Sequence, residues 1–209
     1  MRKISKGAEP QSLTDFKHAF PTLKYDNLTP GNENVRIDIR DSCIKEQFFL
    51  CAYCCDRITI NDSHNDHLIP QSDTIGTNLT LDYKNIVASC QASTHCGHKK
   101  GDHIINTTPL MDCCESDIIY QLNGKMTHKN PNAQNTINIL NLRNAGLKNK
   151  RKSIIDIILF DYVEDIEDLA LEDPEYLRMI IDEISKVDKD GKLEAFSPVI
   201  INVLRQYLA

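Results

Sequence analysis

Apolar residues recur every three or four positions through the second half of the chain. Ile137, Leu140, Leu142, Leu147, Ile154, Ile155, Ile158, Leu159, Val163 and Ile166 follow that spacing, which predicts amphipathic helices. Pro174 predicts a further helix over Tyr176 to Ile184, with Gly191 in the turn after it. Pro198 opens a last helix with Val199, Val203, Leu204 and Tyr207 as its buried stripe. Ile118 to Leu122 and Lys125 to Thr127, joined by Asn123-Gly124, predict a hairpin, because Asn-Gly is the strongest two-residue turn signal. Residues 41–50 predict a helix capped by Asp41 or Ser42, with Ile44, Phe48 and Phe49 toward one face. Before it, Pro10, Pro21, Pro30 and Gly31 punctuate an extended, irregular arm holding one short helix over Ser12 to Phe20. Between 51 and 103, short apolar runs alternate with turn residues such as Asn61-Asp62-Ser63 and Gly76-Thr77-Asn78. These patterns divide the chain into an N-terminal arm (1–40), a central core (41–130) and a mostly helical C-terminal region (131–209), with no internal repeat.

Composition adds the solvent and the compartment. Hydrophobic residues make up 41% and charged residues 26% of the chain, as in ordinary globular proteins. No apolar run approaches the length of about 18 residues that a membrane span needs. Met1 to Lys6 is basic but has no apolar stretch behind it, so it does not read as a secretory signal, and the cytoplasm is the expected location. The net charge of −6 is unevenly spread. Residues 1–152 carry 19 Lys and Arg against 16 Asp and Glu, whereas residues 153–209 carry 5 against 14. The negative balance belongs to the tail, and a nucleic-acid partner for the rest stays open, since phosphate contacts depend on local charge.

Eight cysteines, at 43, 51, 54, 55, 90, 96, 113 and 114, need a reason in a reducing compartment, where disulfides are rare. Cys51-Ala52-Tyr53-Cys54 is a C-x2-C knuckle, and Cys90 with Cys96 forms a second, wider pair. Four thiolates suit a tetrahedral Zn²⁺ with bonds of about 2.3 Å. Such a structural zinc adds folding free energy to a segment poor in large apolar residues. Buried free thiols are the competing reading; Cys43, Cys113 and Cys114 are taken that way, and Cys55 is a neighbour of the knuckle.

The two cysteine pairs bracket His64-Asn65-Asp66-His67-Leu68-Ile69-Pro70 and Asp82-Tyr83-Lys84-Asn85-Ile86-Val87, and Cys96-Gly97-His98-Lys99-Lys100 follows. An Asp-His pair before a short apolar step and a proline resembles the first part of an HNH motif. Asn85 before an apolar strand resembles its middle, and His98 its end, one residue further past the last cysteine than the common Cys-His step. Ile4, Lys6, Pro10 and Leu13, Arg40 and Gln47 before the knuckle, and Leu140-Asn141-Leu142 with Arg151 extend the likeness over about the first 150 residues. In these positions the chain resembles the HNH nucleases of Septu-type and retron-associated anti-phage systems, the PtuB-like group, although that group often has an acidic residue where Cys55 stands.

The resemblance implies an α+β protein with a ββα-metal (HNH) nuclease core and a structural zinc site made of four cysteines. It implies a metal-dependent endonuclease that hydrolyses nucleic-acid phosphodiesters, with DNA as the expected substrate, acting as the effector of a two-component defence system beside a partner ATPase (PtuA-like). His67 is then the general base, since imidazole accepts protons near neutral pH. Asp66 and His98 hold a catalytic divalent ion, Mg²⁺ or another, which acts as a Lewis acid. Asn85 orients His67 or lends an oxygen to the ion. His95 competes with His98 for the last position, and His64 reads as a neighbour or a phosphate contact. Lys99, Lys100, Arg143 and Arg151 are the expected nucleic-acid contacts, against a solvated helix face for the run around Arg151. The acidic helices of the tail, with Asp156, Asp161, Glu164, Asp165, Asp168 and others, read as a solvated surface or as a dock for a basic partner. Two rival functions remain: a non-catalytic, zinc-stabilised nucleic-acid-binding or adaptor module, and a stand-alone restriction-type HNH nuclease.

Overall fold

The chain begins with two helices, α1 (Gln11–Ala19) and α2 (Glu33–Glu46), joined through a 3-10 turn at Tyr25–Leu28. The structure is a computed structural model that describes residues 1–208. Ala209, which ends the expected helical region, and the side chain of Glu167 lie outside the description. Leu13, Phe16, Leu28, Val35 and Ile39 are buried, so residues 1–40 are part of the core and not an extended arm. The second helix starts eight residues before the expected Asp41. Its apolar stripe of Val35, Ile39, Cys43 and Ile44 is thin and interleaved with charges, which hides its period from a reading of caps. It stops at Glu46 because Phe48 and Phe49 both adopt left-handed φ angles, 54° and 62°.

The centre is built on β1 (Ser63–His67) and β2 (Ile86–Cys90), an antiparallel pair in the register Ser63↔Cys90 to His67↔Ile86. Helix α3 (Cys96–Lys100) follows directly, so the chemistry-bearing residues run through two strands and then a helix. The far edge of β2 is held by Ala52, whose N–H donates to the Ala88 carbonyl at 3.1 Å. The Gln47 amide also grips both backbone groups of Ala88 at 2.8 Å. Burying Gln47 is possible because its amide is matched on both sides.

Beyond, α4 (Cys114–Asp117) leads into the expected hairpin of β3 (Ile118–Tyr120) and β4 (Met126–His128). Its turn holds Gly124 at φ 74°, and the turn packs so closely on the next helix that a Cβ at Gly124 would stand 2.2 Å from the Lys148 carbonyl oxygen. Only glycine fits that approach. The helical region consists of α5 (Pro131–Ile139), α6 (Ala145–Leu159), a 3-10 turn at Ile166–Leu171, α7 (Pro174–Ile184) and α8 (Ser197–Arg205). Asn130 and Asn144 cap α5 and α6 by accepting from Ala133 N at 3.0 Å and Leu147 N at 3.2 Å, as N-terminal asparagines do. Helix α8 buries Val199, Ile200, Val203 and Leu204 against β3. The Phe196 N–H donates to the Cys55 carbonyl at 2.8 Å, which ties the tail to the knuckle. Among the described residues no helix is long and apolar enough to cross a membrane.

Candidate metal centres and active site

The knuckle is a turn closed by the Cys51 N–H on the Asp56 carbonyl at 2.8 Å and the Cys55 N–H on the Cys51 carbonyl at 3.1 Å. It delivers Cys51 and Cys54 beneath the end of β2, where Cys90 sits. The chain then loops through Gln91 to His95 and reverses at Cys96, which takes a left-handed φ of 60°. That conformation is unfavourable for a side chain with a Cβ, and it turns the thiol inward. The four sulfurs of Cys51, Cys54, Cys90 and Cys96 lie within 4.8 Å of one another. Sulfurs on a tetrahedral zinc are separated by about 3.8 Å for bonds of about 2.3 Å, so the cluster could close on such an ion with small side-chain motions. The crowded thiols share their protons unevenly: hydrogen bonds from Cys51, Cys54 and Cys96 draw Cys90 down toward the thiolate, while hydrogen bonds from Cys51 and Cys90 push Cys54 up and burial pushes Cys96 up. His95 belongs to this cluster: its Nδ1 lies 3.1 Å from Cys96 Sγ and 4.0 Å from Cys90 Sγ. Cys43, Cys55, Cys113 and Cys114 stay outside it as free thiols.

The strand β1 presents its residues alternately to two sides. Asn65 and His67 face the N-terminal helices. The Asn65 amide donates to Tyr25 Oη at 2.8 Å and to the Arg36 carbonyl at 2.9 Å. The His67 ring meets the Tyr25 ring edge-on at 4.8 Å. Its Nε2 lies 2.9 Å from the Thr80 carbonyl oxygen. A carbonyl only accepts, so Nε2 carries the proton and Nδ1 keeps its lone pair. Burial pushes the His67 pKa down, against the opposing pull of the Thr80 carbonyl and the Asp66 charge, which favours the uncharged ring.

Asp66 and His64 face the other side, toward the cysteine cluster and α3. Asp66 Oδ2 accepts a hydrogen bond from the Tyr53 hydroxyl and lies 3.5 Å from Lys100 Nζ, which leaves Oδ1 for another ligand. Tyr53 is the middle of the knuckle. Burial, then the neighbouring carboxylate, hold its pKa well above the usual phenol value, so it stays a donor. Lys100 is 1% exposed. It donates to the His67 carbonyl at 2.7 Å and pairs with Asp66. The expectation of a phosphate contact therefore fails for Lys100: its ammonium bolts the end of α3 to the end of β1.

Asn85 differs from its expected role as well. Its Oδ1 accepts from Ile69 N at 2.9 Å, and its Nδ2 donates to the Ile69 carbonyl at 3.0 Å and the Leu79 carbonyl at 3.4 Å. Neither end reaches His67 or Asp66. Asn85 clips together the loop from Leu68 to Thr80, and that loop carries the carbonyl that orients His67. Arg151 is 1% exposed. Its guanidinium donates to the carbonyls of Gly124 and Leu142, both at 3.0 Å, so it staples the hairpin to α6 instead of meeting phosphate. Lys99 and Arg143 remain on the surface.

His98 is exposed on α3, with Nε2 2.7 Å from Gln91 Oε1 and its ring 4.3 Å from that of His64. The His64 Nδ1 is buried with no hydrogen-bond partner, a state that costs about 1–3 kcal/mol when nothing satisfies the atom. The unpartnered His64 Nδ1, His98 and the Asp66 carboxylate offer the nitrogen and oxygen donor types that hard divalent ions take, although among the described residues only the four cysteines bring three or more ligand atoms within 4.8 Å of one another. Sequence reading missed Tyr53, Tyr25 and Thr80 as contributors. Tyr53 had one signal, its place inside a metal knuckle. Thr80 acts through its backbone, which leaves no trace in residue type.

No protein-family model matches the chain. Among curated proteins the chain is similar to one named "Retron Vc95 putative HNH endonuclease", from Vibrio cholerae serotype O1 biovar El Tor. The two are 26% identical over 140 residues, covering 61% of this chain and 68% of that protein.

Proposed function

We propose that this protein is a metal-dependent HNH endonuclease with a ββα-metal core, hydrolysing phosphodiester bonds in DNA. The observation that carries the reading is His67: a buried, neutral imidazole with Nε2 fixed on the Thr80 carbonyl, next in sequence to a carboxylate braced by Tyr53 and Lys100. A structural zinc bridge does not need such a pair, which weighs against a purely binding module. The likeness to a retron HNH endonuclease supports the same reading and its setting in anti-phage defence.

A phosphodiester lying along the edge of β1 that β2 does not pair would meet both faces of the strand. His67 Nδ1 takes a proton from the attacking water, and the Thr80 carbonyl stabilises the imidazolium that results. Asp66, with an imidazole from the His64–His98 pair, would hold a divalent ion, Mg²⁺ or another, whose bound role is to absorb charge on the departing oxygen. Lys99 and Arg143, exposed, supply phosphate contacts. The Cys51–Cys54–Cys90–Cys96 cluster holds zinc and fixes α3 against β1.

The exposed acids Asp161 and Glu164, which follow exposed Phe160 in the chain, form a docking face for the basic surface of a partner ATPase. Because α8 belongs to the core, this is tested in the full chain with Asp161→Lys and Glu164→Lys together; unchanged partner capture defeats it.

The test of the nuclease reading is plasmid nicking in Mg²⁺ or Mn²⁺. Wild type should cleave, and His67→Ala should lose about 10²–10⁴-fold in rate, the usual worth of a general base. Equal cleavage by both proteins would remove His67 from the reaction.

A further inference from the structure

His64 and Asp66 stand two residues apart on β1, so they share one face, the face turned toward α3. Directly opposite lies Gly97. A Cβ at Gly97 would be 2.5 Å from His64 Nε2 and 2.9 Å from Ser89 Oγ. The His64 imidazole therefore occupies the space that any side chain at position 97 would take. Gly97 is not among the positive-φ glycines, so no turn demands it, and glycine is otherwise unfavourable in a helix. What the missing side chain provides is room for this ring.

The two imidazoles at the site are not equivalent. His98 is exposed, and its Nε2 is engaged with Gln91 Oε1 at 2.7 Å. His64 is the inner ring, half-buried between His98 and α3, with a buried Nδ1 that no protein group satisfies. A buried polar atom without a partner asks for a ligand.

We infer that His64, and not His98, is the imidazole that joins Asp66 in holding the divalent ion, seated in the space left by Gly97. This rests on the nuclease reading above. His98 is then a positioning residue: it covers the His64 ring and is itself held by Gln91. A neutral imidazole with a carboxylate oxygen suits Mn²⁺, which avoids the thiolate-rich zinc cluster.

The test is Mn²⁺ titration of the full-length, zinc-loaded protein, following free Mn²⁺ by electron paramagnetic resonance. Zinc content and thermal melting report the fold of each variant. Wild type should bind one Mn²⁺ beside its zinc. His64→Ala should weaken that binding by at least about a hundredfold and His98→Ala by clearly less, since loss of an outer partner of a metal ligand costs about 10–100-fold. Combining His64→Ala with Gly97→His should recover binding, because the new ring enters the vacated space. If His64→Ala loses zinc, Gly97→Ala decides instead: its methyl group displaces the ring, and Mn²⁺ binding should fall with His64 still present. Wild-type Mn²⁺ binding that survives both His64→Ala and Gly97→Ala, or that falls more in His98→Ala, overturns the assignment and leaves the nuclease reading standing. Failure of wild type to bind Mn²⁺ at all sinks that reading too.

Discussion

Arg151 offers a direct contest between a surface and an interior reading of one residue. In the sequence it sits in the densest basic run and invites a phosphate. In the structure its guanidinium donates to Gly124 O and Leu142 O at 3.0 Å each and lies 5.7 Å from the Tyr120 ring centroid. Each hydrogen bond from a charged donor is worth about 1.5–3 kcal/mol. Removing the side chain strands two carbonyls and opens a cavity, but it also removes a buried charge whose desolvation already lowers the Arg151 pKa. By analogy with breaking a buried ion pair from one side, the net loss for Arg151→Ala is about 3–5 kcal/mol. For a protein of this length each kcal/mol moves the melting temperature by about 2–4 °C, so a fall of about 10 °C is expected. Arg151→Lys should lie between, since one ammonium cannot span two divergent carbonyls as the fork does. The assays are thermal melting followed by circular dichroism and DNA binding across a salt series. A melting temperature unchanged within about 2 °C, together with a salt slope reduced by about 0.9, the loss of one phosphate contact, would refute the interior reading.

Three further outcomes follow from the same geometry. Chelation, or Cys90→Ser, should release zinc and unfold the segment between the knuckle and α3; apparent zinc stabilisation reaches about 10 kcal/mol in small zinc domains, and a melting curve unmoved by removing zinc would show that the four sulfurs are ordinary buried thiols. Lys99→Ala should lower the salt slope of DNA binding by about 0.9 without changing stability, whereas Lys100→Ala should destabilise by about 3–5 kcal/mol by leaving Asp66 without its cation; identical behaviour of the two variants in melting would contradict their placement. Asn85→Ala should cost about 2–4 kcal/mol for the groups of Ile69 and Leu79 it leaves unpaired, and nuclear magnetic resonance should show the His67 ring losing its fixed tautomer; a variant as stable as wild type but inactive would return Asn85 to a direct role in the chemistry.

The sequence alone determined the parts whose signal is local. The helix period after residue 133, the prolines at Pro174 and Pro198, and the Asn-Gly turn at Gly124 act over a few residues, and their elements stand where they were expected. Cysteine chemistry was legible for the same reason: paired thiols announce a soft-metal site even when 35 residues separate Cys54 from Cys90. Tertiary structure decided everything that depends on direction. Lys99 and Lys100 are neighbours of one type, yet the turn of α3 exposes the first and buries the second against Asp66. Arg143 and Arg151 look alike in a basic run, but only Arg151 faces the two carbonyls that fix it inside. Asn85, Tyr53 and the Thr80 carbonyl took their partners from strand register and loop closure, and His64 took its seat from a glycine 33 residues away. The physical reason is common to all of them. Residue type sets which bonds a group is able to make, while its partner is chosen by packing among residues far apart in the chain, where unmet polar groups and crowded side chains are too costly to leave in place.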